Sequence, residues 1–494
     1  MVFRFSRFLL PHLLLAACFG VLGPRRADAV TFTREPSIWL RTETSVTIAW
    51  QTDTAENGSV RYGRTERLGA EKAASGEARN QTVTLSGLRP GTRYFYRVVA
   101  GGQALSASGV AFETAPPTAE PFRFVAFGDL GRATDAQLQI ASRVDALRPD
   151  LAIVTGDVIY ERGEAESITP QYFRVYRATI SRIPFYPTLG NHDVGTSSGQ
   201  PYLDAFHLPA GPGHERYYSF DYSNAHFTCL EVTREDVEPD QEMRAWLDAD
   251  LAATEKTWKF VFFHVPMVSN SGSHGDDPTI AAALDPILSA RGVDLVFQGH
   301  NHFYSRSYPI RRGEPVAADQ DPRYVNPGAP IYVVTGGGGQ TLEPLGPRGR
   351  EEAFDKSAYH VVSVNVFRNL LSLTAFEADG TVFDAMTVKK SVTTEPGTLA
   401  LVPGAVSPNP SNGAVSLRFQ QSRPASIRVV VYDVAGRRVR EIRTEEPFAA
   451  GTNTVQWDGL DQMGRAAPAG VYLARIEAGD QAVSAKLIRI SRRP

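Results

Sequence analysis

A chain of 494 residues is too long for one ordinary domain, so about two to four are expected. Its 51 basic and 54 acidic residues leave a formal charge of −3, which gives no case for a polyanion-binding surface, so no nucleic-acid-binding surface is evident. The 42 glycines and 33 prolines imply many turns, as in a protein rich in sheet and loops.

The first segment, MVFRFSRFLLPHLLLAACFGVLGPRRADAV, has arginines, an apolar run and then Ala27-Asp28-Ala29. It reads as a secretory signal over residues 1–29, cleaved after Ala29, and implies a secreted, periplasmic or cell-surface protein. The small residues before Cys18 leave a lipoprotein signal as an alternative, although FGVLG continues the apolar run beyond it. Pro11 interrupts that run, and no later segment is apolar for long enough to cross a bilayer, so no transmembrane segment is expected after cleavage. Cleavage leaves Cys229 as the sole cysteine and no intrachain disulfide. Within AHFTCLEV it reads as a buried small hydrophobe, not a nucleophile.

Residues 30–116 read as a small β-sandwich. SVTIAWQT alternates with period two, NGSVRYG follows a turn, and NQTVTLSGLRPGTRYFYRVVAG and SGVAFETAP supply further strands. The segment TVTLSGLRPGTRYFYRV, with Trp50 upstream, resembles fibronectin type III domains. TAPPTAE then reads as a linker.

The pattern changes over residues 121–395. FRFVAFGDLG is an apolar strand ending in a polar turn, DAQLQIASRVDALRPD an amphipathic helix, and LAIVTGDVIY another strand. FYPTLGNHD, WKFVFFHVP, GVDLVFQGHNHFYS and PIYVVTGGGG follow. Strands buried on both faces and joined in part by helices indicate an α/β domain with partly parallel sheets. Residues 400–494 return to short strands, among them GAVSLRFQ, ASIRVVVYDVAGRRVREI and GTNTVQWDGLD, and read as a second β-sandwich. Through SPNPSNG, VYDVAGRRV, WDGLDQMGR and PAGVYLARI this segment resembles FlgD-type immunoglobulin-like C-terminal domains of exported bacterial proteins. That resemblance implies cell-surface attachment through the C-terminal domain.

Five pieces of the middle domain share one arrangement, an apolar strand with polar side chains at its end. They are GDLG (Asp129), GDVIY (Asp157, Tyr160), GNHD (Asn191, His192), FFHVP (His264) and GHNH (His300, His302). Loops at strand ends are where sites form in open α/β folds. Seven candidate oxygen and nitrogen ligands can serve two metals, whereas a tetrahedral zinc needs about four. Singly, each has a structural alternative: an Asp after a strand caps a helix, Asn191 makes a turn, and His264 is a satisfied core histidine. All five pieces in one domain, none using cysteine, favour a metal centre.

The ordered set resembles the calcineurin-like metallophosphoesterases, and Tyr160, three residues after Asp157, narrows the resemblance to the purple acid phosphatase branch. It implies a fold with two central mixed sheets. It also implies a first metal on Asp129, Asp157, Tyr160 and His302, and a second on Asp157, Asn191, His264 and His300, with Asp157 bridging. A phenolate is a hard anionic donor that favours Fe(III), while neutral His and Asn donors suit a divalent zinc, iron or manganese ion. The implied reaction is hydrolysis of a phosphate monoester by direct attack of metal-bound hydroxide.

By the same resemblance His192 lies beside the substrate, either steadying phosphate oxygens or protonating the leaving group. Asp193 either orients it or serves a turn. His274, in SNSGSHGDD, resembles the additional substrate-side histidine of plant-type members, although its flanking residues depart from their pattern. VVTGGGGQ, residues 333–340, lacks the Lys and Ser of a nucleotide P-loop and reads as a close-approach turn beneath the site. Arg306 either positions that region or contacts phosphate.

The expected function is therefore an exported dinuclear acid phosphatase acting on phosphate monoesters. A phosphodiesterase or nucleotidase on the same core is the nearest alternative, and the loops around 161–182, 194–218 and 265–280 would decide between them. A non-catalytic surface adhesin is the alternative of a different class, and the complete ligand set argues against it.

Overall fold

The computed structural model describes residues 30–117, 120–269, 275, 277–390, 399–422, 425–443, 447–478 and 481–491. The proposed signal segment with Cys18, and part of the TAPPTAE linker, lie outside the described residues. The chain divides into two compact units, one ending at Lys390 and the other beginning at Ser391. Among the described residues no helix is long and apolar enough to cross a membrane.

The N-terminal sandwich is one continuous hydrogen-bonded network because the strand Ser45–Gly63 serves both layers. Its first part pairs with Phe32–Trp39 and its last part with Arg93–Ala100, while Ala70–Ser86 runs beside it throughout. The sequence reading separates SVTIAWQT from NGSVRYG by a turn. The chain instead stays in the ladder and bends through register shifts between Gln51 and Ser59, as a bulged strand does when it changes layer. Ile38, Val46, Ile48, Trp50, Val60, Leu85 and Val98 fill the core between the layers.

This sandwich packs on the α/β domain within the first unit. The Trp39 ring meets Phe206 edge-on at 5.7 Å and lies 6.4 Å from Phe173. The Tyr96 hydroxyl donates to the Ser181 carbonyl at 2.7 Å, and Arg41 Nη2 donates to the Asp150 carbonyl at 2.6 Å.

Two mixed sheets face each other in the middle domain. One contains seven strands, with Phe122–Phe127, Leu151–Val154 and Phe185–Pro187 parallel at one side and His360–Phe367 antiparallel to the first of them. The other contains eight, with Ala225–Cys229, Trp258–Phe262, Leu295–Gln298 and Ile331–Thr335 in parallel succession. These strands carry apolar residues on both faces because one face meets the opposite sheet and the other meets helices or loops. Phe124 of the first sheet stands 5.1 Å from Phe227, 5.0 Å from Phe260 and 5.8 Å from Phe297 of the second. Cys229 belongs to this interior, where burial pushes its thiol up to about 12, so it packs as a hydrophobe.

The helix Asp135–Leu147 starts at Thr134, whose hydroxyl accepts the Gln137 N–H, and ends at Arg148 in the left-handed region. Helices Gln241–Ala253 and Pro278–Ala290 begin at Asp240 and Asp277 in the same way. The second unit has a three-stranded and a four-stranded sheet around Leu417, Phe419, Val429, Val431, Trp457 and Ile476.

Candidate metal centre

Three strands of one sheet and two of the other end at the same place. The loops after Phe122–Phe127, Leu151–Val154 and Phe185–Pro187 carry Asp129, Asp157 and Asn191. Those after Trp258–Phe262 and Leu295–Gln298 carry His264, His300 and His302. The chain must turn abruptly to aim these groups inward: Asp129, Asp157 and His300 adopt φ of 58°, 48° and 67°. Left-handed backbone is uncommon outside glycine, and Asp and His are among the residues that tolerate it. Space is equally restricted, since a Cβ on Gly190 would lie 2.1 Å from Asp157 Oδ1 and one on Gly156 2.5 Å from His264 Nδ1. Only glycine fits beside these side chains.

Ligand-type atoms of Asp129, Asp157 and His264, all buried, lie within 4.8 Å of one another. The two oxygens of Asp157 face different neighbours. Oδ1 lies 3.4 Å from His264 Nε2, which is 2.8 Å from Asn191 Oδ1 and 3.2 Å from His300 Nδ1. Oδ2 accepts the Tyr160 hydroxyl at 3.1 Å, and that hydroxyl is 3.5 Å from Asp129 Oδ1, itself 3.5 Å from His302 Nε2. The seven candidate ligands are thus linked by a run of close contacts that passes through Asp157.

Hydrogen bonds behind the rings decide which nitrogens face inward. His264 donates Nδ1–H to the Thr155 carbonyl at 2.8 Å, and His302 donates Nδ1–H to the Thr341 carbonyl at 2.8 Å. Each ring thereby turns its Nε2 toward the carboxylates. His264 Nε2 thus stands with Asn191 Oδ1, His300 Nδ1 and Asp157 Oδ1 in one close cluster of nitrogen and oxygen atoms, of the kind a cation can share. Among the described residues, the basic groups within ion-pair reach of Asp129 and Asp157 are histidines, not Lys or Arg. Two buried carboxylates need countercharge, and a donor set of oxygen and imidazole without thiolate fits hard or borderline metal ions. Burial opposes charge on His302, but its bond to Asp129 overrides this and pushes it up to about 9. Burial, then the charges of Asp157 and Asp129, hold the Tyr160 phenol well above its usual range.

His192 borders this centre. Its backbone N–H donates to Asp157 Oδ1 at 3.0 Å, its Nδ1–H donates to the Glu161 carbonyl, and its ring centroid is 4.4 Å from that of Tyr160. Asp193 does not orient it. The buried Asp193 carboxylate accepts the N–H groups of Val158, Ile159 and Gly190 at 2.9–3.1 Å, so it ties the Asp157 loop to the Asn191 turn. His274 lies outside the described residues. Arg306 is a structural residue: its guanidinium is buried against Asp384 at 2.7 Å and Asp321 at 2.9 Å, away from any phosphate role. The glycine run is a close-approach floor, since a Cβ on Gly336 would meet Asp129 Oδ2 at 2.7 Å.

Sequence reasoning missed Gln171. Its side-chain amide clasps the Tyr160 backbone, accepting the N–H at 2.9 Å and donating to the carbonyl at 2.6 Å. Gln137 in turn donates to the Gln171 carbonyl at 2.8 Å. Neither glutamine stands in a recognisable motif, so only the three-dimensional contact finds them.

Family models match in three places: calcineurin-like phosphoesterase over residues 122–304, purple acid phosphatase N-terminal domain over 35–114, and FlgD Ig-like domain over 406–482. The chain is similar to purple acid phosphatase 21 of Arabidopsis thaliana, 27% identical over 304 residues, which is 57% of this chain and 65% of that one. It is also similar to probable purple acid phosphatase 20 of the same plant, at 26% identity over 67% of this chain and 79% of the relative. With the first of these the match spans less than two thirds of the relative's length. A purple acid phosphatase from yellow lupin (Lupinus luteus) seeds shares the fold, with a TM-score of 0.65 and 22% identity over 72% of this chain and 74% of the lupin chain. PhoD shares it with a TM-score of 0.57 and 14% identity over 74% of this chain and 95% of PhoD.

Proposed function

From the premise that the chain carries a calcineurin-like metallophosphoesterase domain between a purple acid phosphatase-type N-terminal domain and a C-terminal FlgD Ig-like domain, we propose that it is a dinuclear metal-dependent phosphatase for phosphate monoesters. The observation that carries this reading is the division of donors around Asp157, one carboxylate oxygen toward each group. Asp129, Tyr160 and His302 would hold a ferric ion with Asp157, and Asn191, His264 and His300 a divalent zinc, iron or manganese ion. When bound, such a pair acidifies water and steadies the attacking and leaving oxygens of an in-line displacement.

The chain's own residues hold and orient this centre. Asp157 offsets the repulsion between neighbouring cations. Thr155 and Thr341 lock two imidazoles through their carbonyls. His192, with its side chain 31% exposed and Nδ1 engaged by Glu161, presents Nε2 for a proton to the leaving oxygen. His274 is proposed as a further substrate-side group. The domain limits of the sequence reading (30–116, 121–395 and 400–494) accompany this proposal, as do export and attachment through the last domain.

Hydrolysis of p-nitrophenyl phosphate beside its bis ester tests the substrate class. A phosphomonoesterase cleaves the monoester far faster. Preference for the bis ester would make the protein a phosphodiesterase on the same core.

A further inference from the structure

We propose that Glu235 is a positioning residue for the second metal, acting through His300; the inference rests on the dinuclear reading above. His300 donates Nε2–H to Glu235 Oε1 at 2.8 Å. That bond leaves the Nδ1 lone pair facing inward, 3.0 Å from Asn191 Oδ1 and 3.2 Å from His264 Nε2. His300 is thus turned opposite to His264 and His302, which face the centre through Nε2 and donate Nδ1–H to neutral carbonyls. A carboxylate partner does more than a carbonyl: it fixes the tautomer and makes the inward nitrogen a stronger donor to a cation.

The position of Glu235 is built. Its loop is fastened on one side by the Val265 N–H, which donates to the Val232 carbonyl at 3.0 Å. On the other side the Asp236 N–H donates to Asp277 Oδ2 at 2.7 Å, while Asp277 Oδ1 caps the helix Pro278–Ala290 through Thr279 and Ile280. The Glu235 side chain itself is 40% exposed, so substituting it opens no hole in the core.

Stepwise Zn²⁺ titration of the full chain against a chelator of known affinity tests the role, in wild type, Glu235→Ala and Glu235→Gln. The wild type should show two binding steps. Glu235→Ala should weaken one step by about 10–100-fold and leave the other unchanged, the range found for second-sphere partners. Glu235→Gln, whose amide oxygen still accepts the N–H, should lose less. Ring ¹⁵N shifts of the metal-free, histidine-labelled protein should give His300 as the Nε2–H tautomer in wild type and a tautomer mixture in Glu235→Ala. Unchanged steps in both variants, or equal weakening of both steps, would overturn the proposal. If the wild type shows one step, the dinuclear reading fails separately, and the ring shifts alone decide whether Glu235 sets the His300 tautomer.

Discussion

His192 and Asp193 are adjacent and do different work. With Nδ1 held by the Glu161 carbonyl, His192 turns Nε2 toward Asp157 Oδ2 at 3.8 Å and bonds Asp157 Oδ1 through its backbone N–H. His192→Ala should keep the metals and slow turnover of an alkyl phosphate by about 10²–10⁴-fold, with a smaller loss for p-nitrophenyl phosphate, whose leaving group needs little protonation. Steady-state rates on the two esters check this; equal losses would make His192 a phosphate-positioning group. Asp193→Ala should instead destabilise the fold, by about 1–3 kcal/mol for each of the Val158, Ile159 and Gly190 N–H groups left buried without an acceptor, measured by chemical denaturation. The residues that meet in this cluster were legible in the sequence because each follows an apolar strand in a short motif. The inward turn of Asp193, the Gln171 clasp and the Arg306–Asp384 pair were not, because they depend on contacts between segments far apart in sequence.

The strands position the centre, and their edges need fastening of their own. On the hairpin Tyr218–Tyr222 and Ala225–Cys229, the buried His226 bonds Asp221 at 2.7 Å and Asp250 of the helix Gln241–Ala253 at 2.8 Å. Burial opposes its charge, but the two carboxylates override this and push it up to about 9. A histidine with a raised folded pKa contributes its full stabilisation below its unfolded pKa of about 6.5 and loses it as pH rises through 9. The Tm advantage of the wild type over His226→Ala should therefore be largest near pH 6 and shrink toward pH 10, as thermal scans across that range would show. An advantage that stays constant with pH would mean that His226 fastens the edge by packing alone. Period-two and continuous apolar runs made most strands readable, and the helix at 135–147 follows from its own periodicity. The bend inside Ser45–Gly63 was hidden because a bulge and a turn use the same small and polar residues.

At the scale of the whole molecule, all candidate ligands precede Lys390, where the first compact unit ends. A chain ending at Lys390 should keep the metal content and kcat of the full protein, measured side by side. Loss of metal from the folded, shortened chain would tie the last domain to the centre. Removing the first sandwich should be worse tolerated, because Trp39 covers Phe173 and Phe206, and their exposure should show as aggregation in light scattering. The three-part plan was legible from changes in strand pattern along the chain. How tightly the first sandwich packs on its neighbour was not, since Trp39 reads as one more strand residue. Metal analysis joined to the visible spectrum of the oxidised protein tests whether Tyr160 binds iron in a two-metal centre. Two metal ions per chain are expected, one of them iron, with a tyrosinate-to-iron band that disappears in Tyr160→Phe. A single metal per chain, or a colour indifferent to that substitution, would contradict that reading.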